Sequence, residues 1–87
     1  MRLDKFLKVS RLIKRRTVAN EVSDQGRVFI NGKPSKPSAE VKEGDKITIE
    51  YVSKTLTAEV LRVPQGNVSI QESKKLYKTV EEIHHKS

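Results

Sequence analysis

Apolar positions recur at helical spacing at the start of the chain. Leu3, Phe6 and Leu7 stand three and four residues apart, which places them on one face of an amphipathic helix. A second helix is predicted from about Arg16 to Gln25. Its predicted buried face consists of Val18, Ala19 and Val22. Gly26 should end that helix, because helices commonly finish in a left-handed residue that glycine adopts without steric penalty.

The period of the apolar pattern changes from 3.6 to 2 in the middle of the chain. Residues 28–30 alternate and lead into Asn31-Gly32, which favours a type I′ hairpin because both central residues of that turn need positive φ. Prolines shortly after the turn should keep this pairing brief. Residues 46–52 and 56–63 also alternate and predict an antiparallel hairpin, joined through residues 53–55.

Residues 64–87 give a mixed pattern. Ser69 and Glu72 have capping-box spacing, which predicts a C-terminal helix. One stripe of that helix would contain Leu76, Val80 and Ile83. Residues in the same segment that suit a strand leave that alternative open. The predicted fold class is therefore α+β: two short N-terminal helices packed on a small antiparallel sheet, plus a C-terminal helix. We expect one domain over residues 1–63 and a C-terminal extension over residues 64–87.

Composition limits the classes of protein that fit. The 87 residues include no cysteine, which excludes a disulfide framework, a thiolate nucleophile and a Cys-based zinc site. The length allows a single domain. No apolar run is long enough to cross a bilayer, and no signal-peptide pattern follows Met1. We therefore expect a cytoplasmic protein that does not bind a membrane.

No catalytic or metal-binding constellation is recognisable in the sequence. The two histidines, His84 and His85, are adjacent near the C terminus, where chains usually fray. We interpret them as an unstructured tail or a purification remnant. The four glycines lie too far apart for a phosphate-binding loop. We therefore expect no enzymatic activity, cofactor, metal or small-molecule substrate.

The charge of the chain is concentrated in its first part. Lys and Arg number 18 against 11 Asp and Glu, which gives a net charge of +7. Residues 1–36 hold ten basic and three acidic side chains, whereas residues 37–87 hold eight of each. Like charges repel and oppose a compact state unless a polyanion neutralises them. A solvated surface and a membrane surface are the alternatives, but so one-sided an excess favours nucleic acid.

The cations of the first helix face away from its predicted core. At 100° per residue, Arg2, Lys5 and Lys8 lie opposite the apolar stripe. Arg binds phosphate with a planar fork and also stacks on unpaired bases. The basic RNA-binding candidates are Arg2, Lys5, Lys8, Arg11, Lys14, Arg15 and Arg16. Few aromatic residues are exposed in this reading, which favours recognition of the shape and backbone of a folded RNA over a base-stacking platform.

Two further residues near the helices have alternative interpretations. The start of the second helix offers free N–H groups near Arg16 and Thr17, so Thr17 is a candidate RNA contact. Its hydroxyl could instead cap the helix. Asp4 should pair either with Lys8 on its own helix or with Arg16 across the helices, and in either case should orient the cations.

Several segments together resemble a known RNA-binding domain. They are Arg2-Leu3-Asp4-Lys5-Phe6-Leu7, the basic pair before Thr17-Val18-Ala19, Gln25-Gly26-Arg27-Val28, Asn31-Gly32, and Val41 with Gly44-Asp45. Their order and spacing over roughly residues 1–50 resemble the S4 domain, named after small-subunit ribosomal protein S4. Residues 1–17 resemble the stand-alone members related to heat-shock protein 15, and most of all the RqcP family of ribosome-associated quality control. Past residue 52 the resemblance fades.

The resemblance implies a function and a set of site residues. It implies that the two helices form an αL-type RNA-binding motif, with Arg2, Lys5, Arg15 and Arg16 facing RNA. Arg11, Lys14 and Gln25 would lie beside them. It further implies binding to stalled large ribosomal subunits with peptidyl-tRNA, contacts with 23S rRNA and tRNA, and support of an RqcH-type factor that adds C-terminal alanine tails. The protein would then be ribosome-associated, and a monomer off the ribosome.

Two other functions remain open at this point. S4 domains also precede pseudouridine synthase and tRNA synthetase catalytic domains, so an accessory RNA-binding role in rRNA or tRNA modification, or in ribosome assembly, is one alternative. A general nucleic-acid or DNA-architectural protein is the other, and it would bind duplex DNA and ribosomal RNA with similar affinity.

Overall fold

Helices and one antiparallel sheet make up the part of the chain that the structure describes. In the computed structural model, which describes residues 1–66 and 68–85, the helices are α1 (Leu3–Val9), α2 (Arg16–Asp24) and α3 (Ile70–Ser73). The strands are β1 (Val28–Ile30), β2 (Lys33–Pro34), β3 (Lys46–Glu50), β4 (Lys54–Val60) and β5 (Tyr77–His84). Their order in the sheet is β2-β1-β3-β4-β5. None of these helices is long and apolar enough to cross a membrane. The α+β class and the two N-terminal helices are confirmed.

The apolar stripe of α1 lies at the centre of the core. Leu3, Phe6 and Leu7 are fully buried, as predicted. They belong to one cluster with Ile47 and Ile49 of β3 and with other buried residues of the sheet. Full burial of a side chain of this size stabilises a fold by about 1.5–3 kcal/mol, so this small set supplies a large share of the apolar contribution.

The end of α2 has the geometry that its sequence predicts. Gln25 is the C-cap, and Gly26 follows with a φ of 74°. The N–H of Gly26 donates to the carbonyl of Ser23, and the N–H of Arg27 donates to that of Val22, both at 3.0 Å. This is the Schellman pattern, which satisfies carbonyls that the helix would otherwise leave unpaired.

The buried face of α2 differs from the prediction at one position. Ala19 and Ser23 are buried, and Val22 packs against the core while partly buried. Val18, however, is 39% exposed, so its predicted place on the buried face was wrong. The reason is geometric, because Val18 points about 100° away from Ala19 around the helix.

Both predicted hairpins are present. Asn31 and Gly32 have φ values of 52° and 83°, the left-handed backbone that a type I′ turn needs at both positions. The pairing that follows the turn is limited to β2, which has two residues. β3 and β4 form the longer hairpin, with Ile49 opposite Leu56 and Ile47 opposite Ala58 on the core side.

The C-terminal segment is a strand, and the helix predicted there was wrong. Ser69 does accept the N–H of Glu72 as the capping box predicts, but α3 is only four residues long. Residues 77–84 then pair with β4 as β5. β4 has backbone groups on that side that need hydrogen-bond partners, and the aromatic and β-branched residues of the segment favour a strand. Residues 77–84 of the predicted extension therefore belong to the same sheet as β1–β4. The division into residues 1–63 and 64–87 stays a prediction.

The histidines also lie in this sheet, and the unstructured tail that we expected was wrong. His84 is the last residue of β5 and pairs with Lys54. The N–H of His85 donates to the carbonyl of Ser53 at 3.0 Å, and its Nε2 lies 2.8 Å from Oγ1 of Thr55. Within residues 1–66 and 68–85, no group of three His, Cys, Asp or Glu side chains is placed to hold a metal.

Because the segment is a strand, the three residues of the predicted helical stripe differ in solvent exposure. Leu76 is 2% exposed, whereas Val80 and Ile83 are 49% and 48% exposed. We expect Leu76→Ala to lower the free energy of unfolding by about 3 kcal/mol, because it leaves a cavity in the core. Val80→Ala and Ile83→Ala should each cost less than about 1 kcal/mol. Urea denaturation of the three variants measures this difference, and equal losses would contradict the strand.

Candidate nucleic-acid interface

One buried carboxylate joins the two N-terminal helices. Asp4 lies in the first turn of α1 and is 1% exposed. Each of its oxygens accepts one hydrogen bond from the guanidinium of Arg2 and one from that of Arg16, at 3.2 Å from Nε and 3.4 Å from Nη2 in both cases. The side-chain amide of Asn20 donates at 3.0 Å and the backbone N–H of Lys5 at 2.8 Å. The expected pairing with Arg16 across the helices is confirmed, and Arg2 is a second partner.

Burial and hydrogen bonding change the pKa of Asp4 in opposite directions. Removal from water raises the pKa of the carboxyl, but hydrogen bonds from Arg16, Asn20 and the Lys5 backbone, together with the charge of Arg16, outweigh that effect. The pKa therefore lies below its ordinary value of 3.8. Asp4 is ionised at neutral pH and holds the two guanidiniums by charge-assisted hydrogen bonds.

Asp4 orients the two arginines without removing them from solvent. The side chains of Arg2 and Arg16 are 54% and 45% exposed. Each guanidinium uses Nε and one Nη for the carboxylate, which leaves its other N–H donors available to a ligand. Since both planar forks are already fixed, little side-chain freedom is lost when phosphate binds them.

The start of α1, where Arg2 lies, is fixed by the backbone of residues 37–41. The N–H of Leu3 donates to the carbonyl of Ala39 at 2.7 Å, and the N–H of Asp4 donates to that of Pro37 at 3.1 Å. The carbonyl of Met1 accepts the N–H of Val41 at 2.9 Å. The first two bonds satisfy N–H groups that a helix leaves unpaired in its first turn. All three fix the position of Arg2 relative to the body of the domain.

Arg2, Lys5 and Arg16 line an open groove of about 750 Å³, which we call the first groove. Its other wall is formed by residues 63–66 and Met1. The 63–66 wall is anchored because Pro64 is buried and the N–H of Leu61 donates to the carbonyl of Leu76 at 2.8 Å. No sequence pattern marks this wall, since residues about 60 positions apart in the chain meet there.

Lys8, Arg11 and Lys14 line a second, smaller groove of about 190 Å³, together with Val9 and Val68. This second groove shares no lining residue with the first. Arg11 has a φ of 63°, a left-handed backbone that costs roughly 1–2 kcal/mol for a residue other than glycine. The turn between the helices therefore places the Arg11 side chain at some energetic cost.

The turn that carries Arg11 and Lys14 is held against the sheet. The hydroxyl of Tyr51 donates to the carbonyl of Leu12 at 2.6 Å. Burial raises the pKa of Tyr51 to about 12, with smaller contributions from Tyr77 and Glu82, so the hydroxyl stays protonated and can donate this bond at neutral pH. The N–H of Ile13 also donates to the carbonyl of Leu7 at 3.0 Å.

Three other candidate residues do not line either groove. Arg15 is the N-cap of α2 and Thr17 is its second residue, so the interpretation of Thr17 as the cap was wrong. Both side chains are exposed beside Arg16. Gln25 lies at the other end of α2, roughly 13 Å from Arg16 along the axis at 1.5 Å per residue. Contact of these three residues with RNA stays a prediction.

The lowered pKa of Asp4 gives a prediction for acid stability. Ionised Asp4 stabilises the fold above about pH 4, and this contribution is lost as the pH falls through the folded-state pKa. We expect Asp4→Asn to lower the free energy of unfolding by about 1–2 kcal/mol at neutral pH, and by progressively less in acid. Thermal or urea unfolding between pH 2.5 and 7 measures both, with Asp24→Asn, at an exposed position, as the matched control. Parallel pH profiles for Asp4→Asn and the wild type would contradict the assignment.

Comparison with known sequences identifies close relatives of the chain. The family model of the S4 domain matches residues 1–47. The chain is 62% identical to the RQC P-site tRNA stabilizing factor of Bacillus subtilis. The alignment of 60 residues covers 69% of this chain and 70% of the relative. It is 50% identical to the factor of the same name from Halalkalibacterium halodurans. The alignment of 82 residues covers 94% of this chain and 92% of the relative.

Solved structures share the fold. Heat Shock Protein 15 of Vibrio cholerae, described as a trimer, superposes with a TM-score of 0.84 at 30% identity, over 92% of this chain and 81% of that one. The solution structure of the hypothetical protein HP1423 gives a TM-score of 0.80 at 34% identity, over 93% and 98% of the two chains. With its α1–α2 pair, its sheet and these relatives, the chain belongs to the S4 domain family and, within it, to the family of RQC P-site tRNA stabilizing factors.

Proposed function

We propose that this protein is an RNA-binding factor of ribosome-associated quality control that binds stalled large ribosomal subunits with peptidyl-tRNA. The observation that carries this proposal is the pair of guanidiniums, Arg2 and Arg16, that one buried carboxylate fixes at the edge of the first groove. Two pre-oriented forks suit the phosphates of an RNA backbone. The relatives named P-site tRNA stabilizing factors support tRNA as a ligand.

The two grooves support contact with two RNA segments at once. Each contains three cations of the proposed RNA-binding set, and they share no residue. We infer that one groove binds tRNA and the other binds 23S rRNA, with the helix α1 between them. A small rigid domain in this position would stabilise the tRNA by fixing its geometry relative to the subunit, and it would act by binding alone, without catalysis.

This role connects the protein to the addition of C-terminal alanine tails. A tRNA held in one position is the state from which an RqcH-type factor could extend the stalled chain repeatedly. We propose that residues 1–63 carry the RNA contacts, and that the extension over residues 64–87 completes the first groove and the sheet. The protein would then be found on ribosomes in the cytoplasm.

Substitutions in the first groove test this function. We expect Arg16→Ala and Arg2→Ala to abolish co-sedimentation with large subunits that carry peptidyl-tRNA. The thermal unfolding midpoint should change little, because the other arginine and Asn20 still bind Asp4. Arg16→Lys keeps the charge but loses the fork, so it should restore binding only in part. Normal co-sedimentation of Arg16→Ala and Arg2→Ala would show that the assigned face is wrong.

The salt dependence of binding provides a matched comparison between lysines. Lys5 lines the first groove, whereas Lys46 is an exposed residue of β3 that lines neither groove. We expect Lys5→Ala to reduce the slope of log affinity against log salt by about one, because one phosphate contact is lost. Lys46→Ala should leave the slope unchanged. Equal slopes for both variants would place the RNA elsewhere on the protein.

A further inference from the structure

An apolar cleft of about 360 Å³ lies next to the second groove and has no role in the contacts proposed so far. Its walls come from the turn between α1 and α2, from α2 itself and from the end of β3. The apolar residues that matter here are Leu12, Val18, Val22, Tyr51 and Val52. Lys14, Arg27 and Glu50 also line it. We call this site the apolar cleft.

The apolar cleft contains large apolar side chains that the fold leaves in water. Val18 is 39% exposed and Val52 is 89% exposed. A single exposed valine is ordinary on a protein surface. Two of them in one concave site, together with a half-buried tyrosine, are instead typical of a surface that a ligand covers.

The charged residues of the apolar cleft indicate which ligand covers it. Lys14 lines both the apolar cleft and the second groove, so the cleft continues the cationic face of the helices. Arg27 adds a second cation. A polyanion whose path follows the second groove therefore meets the cleft next, and the two cations complement the phosphates on either side of it.

The side chains inside the apolar cleft match the flat face of a base. Unpaired bases stack on aromatic rings, and Tyr51 lines the cleft. The ammonium of Lys54 lies over the Tyr51 ring, 5.4 Å from its centroid, so a base would stack on the other face of the ring. The hydrogen bond from the Tyr51 hydroxyl to Leu12 holds the ring in place. The Glu50 carboxylate is an acceptor for an N–H group at the edge of such a base, for example the ring N3–H of uracil.

We propose that the apolar cleft binds one unstacked nucleobase of the RNA that occupies the second groove. The base packs against Val18, Val52 and Tyr51, and its flanking phosphates contact Lys14 and Arg27. This inference rests on the proposed function, because it requires RNA on the cationic face. An apolar side chain of a protein partner could fill the same volume, but it would leave both cations without a counter-charge.

Valine-to-serine substitutions inside and outside the apolar cleft test its role. Val18→Ser and Val52→Ser alter the cleft, and Val80→Ser changes an exposed valine of β5 outside it. The probes are a short single-stranded oligouridylate, which stacks weakly on itself, and an abasic ribose-phosphate oligomer of the same length. We expect Val18→Ser and Val52→Ser each to weaken oligouridylate binding roughly threefold to fivefold, because each replaces apolar contact with the base by a hydroxyl. Val80→Ser should have no effect, and none of the variants should change binding of the abasic oligomer.

Methyl NMR of the full-length protein gives the direct readout. The methyl signals of Val18 and Val52 should shift when oligouridylate is added, and should not shift with the abasic oligomer. The inference is wrong if the methyl signals shift with neither oligomer. It is also wrong if they shift only when an alanine-tailing protein factor is added without RNA. Co-sedimentation of the wild type with large subunits is scored separately. If the wild type co-sediments with large subunits but the valine signals do not shift, the cleft inference is wrong and the proposed function stands. If the wild type does not co-sediment, both the cleft inference and the proposed function are wrong.

Discussion

The ionised carboxylate of Asp4 is the interaction on which the N-terminal half of this protein depends. The segment that contains both helices carries the whole excess of positive charge, and like charges repel each other. Asp4 places one negative charge between Arg2 and Arg16 and bonds to α2 through Asn20 as well. The same contact therefore links the two helices and orients two guanidiniums that stay about half exposed.

The features that local sequence determines are the ones that could be predicted. The stripe of Leu3, Phe6 and Leu7, the Asn31-Gly32 turn and the glycine after α2 each act through neighbours in the chain, and the structure contains all of them. The spacing of Leu76, Val80 and Ile83 favours a helix over the strand that the same segment also suits. The pairing with β4 decides for the strand, and no local pattern reveals the open edge of β4. The wall of the first groove was missed for the same reason, since residues 63–66 meet α1 only through the completed sheet.

The second half of the chain has no net charge and holds the helices of the charged first half in position. Residues 37–41 fix the start of α1 by backbone hydrogen bonds, and Tyr51 fixes the turn after it. Leu76 contributes its side chain to the core and its carbonyl to the segment that leads to the 63–66 wall. Charge and scaffold are thus separated along the sequence, which allows a chain of 87 residues to expose a strongly cationic surface and still retain a small apolar core.

The left-handed backbone of Arg11 shows that the cationic surface is built at a cost in stability. The position follows the end of α1, where glycine would adopt the same angle and relieve roughly 1 kcal/mol of strain. Glycine would also remove the cation from the second groove. The free protein is therefore less stable at this turn than its fold would permit. Arg11 therefore keeps a cation in the second groove at a cost in stability that a glycine at residue 11 would not carry.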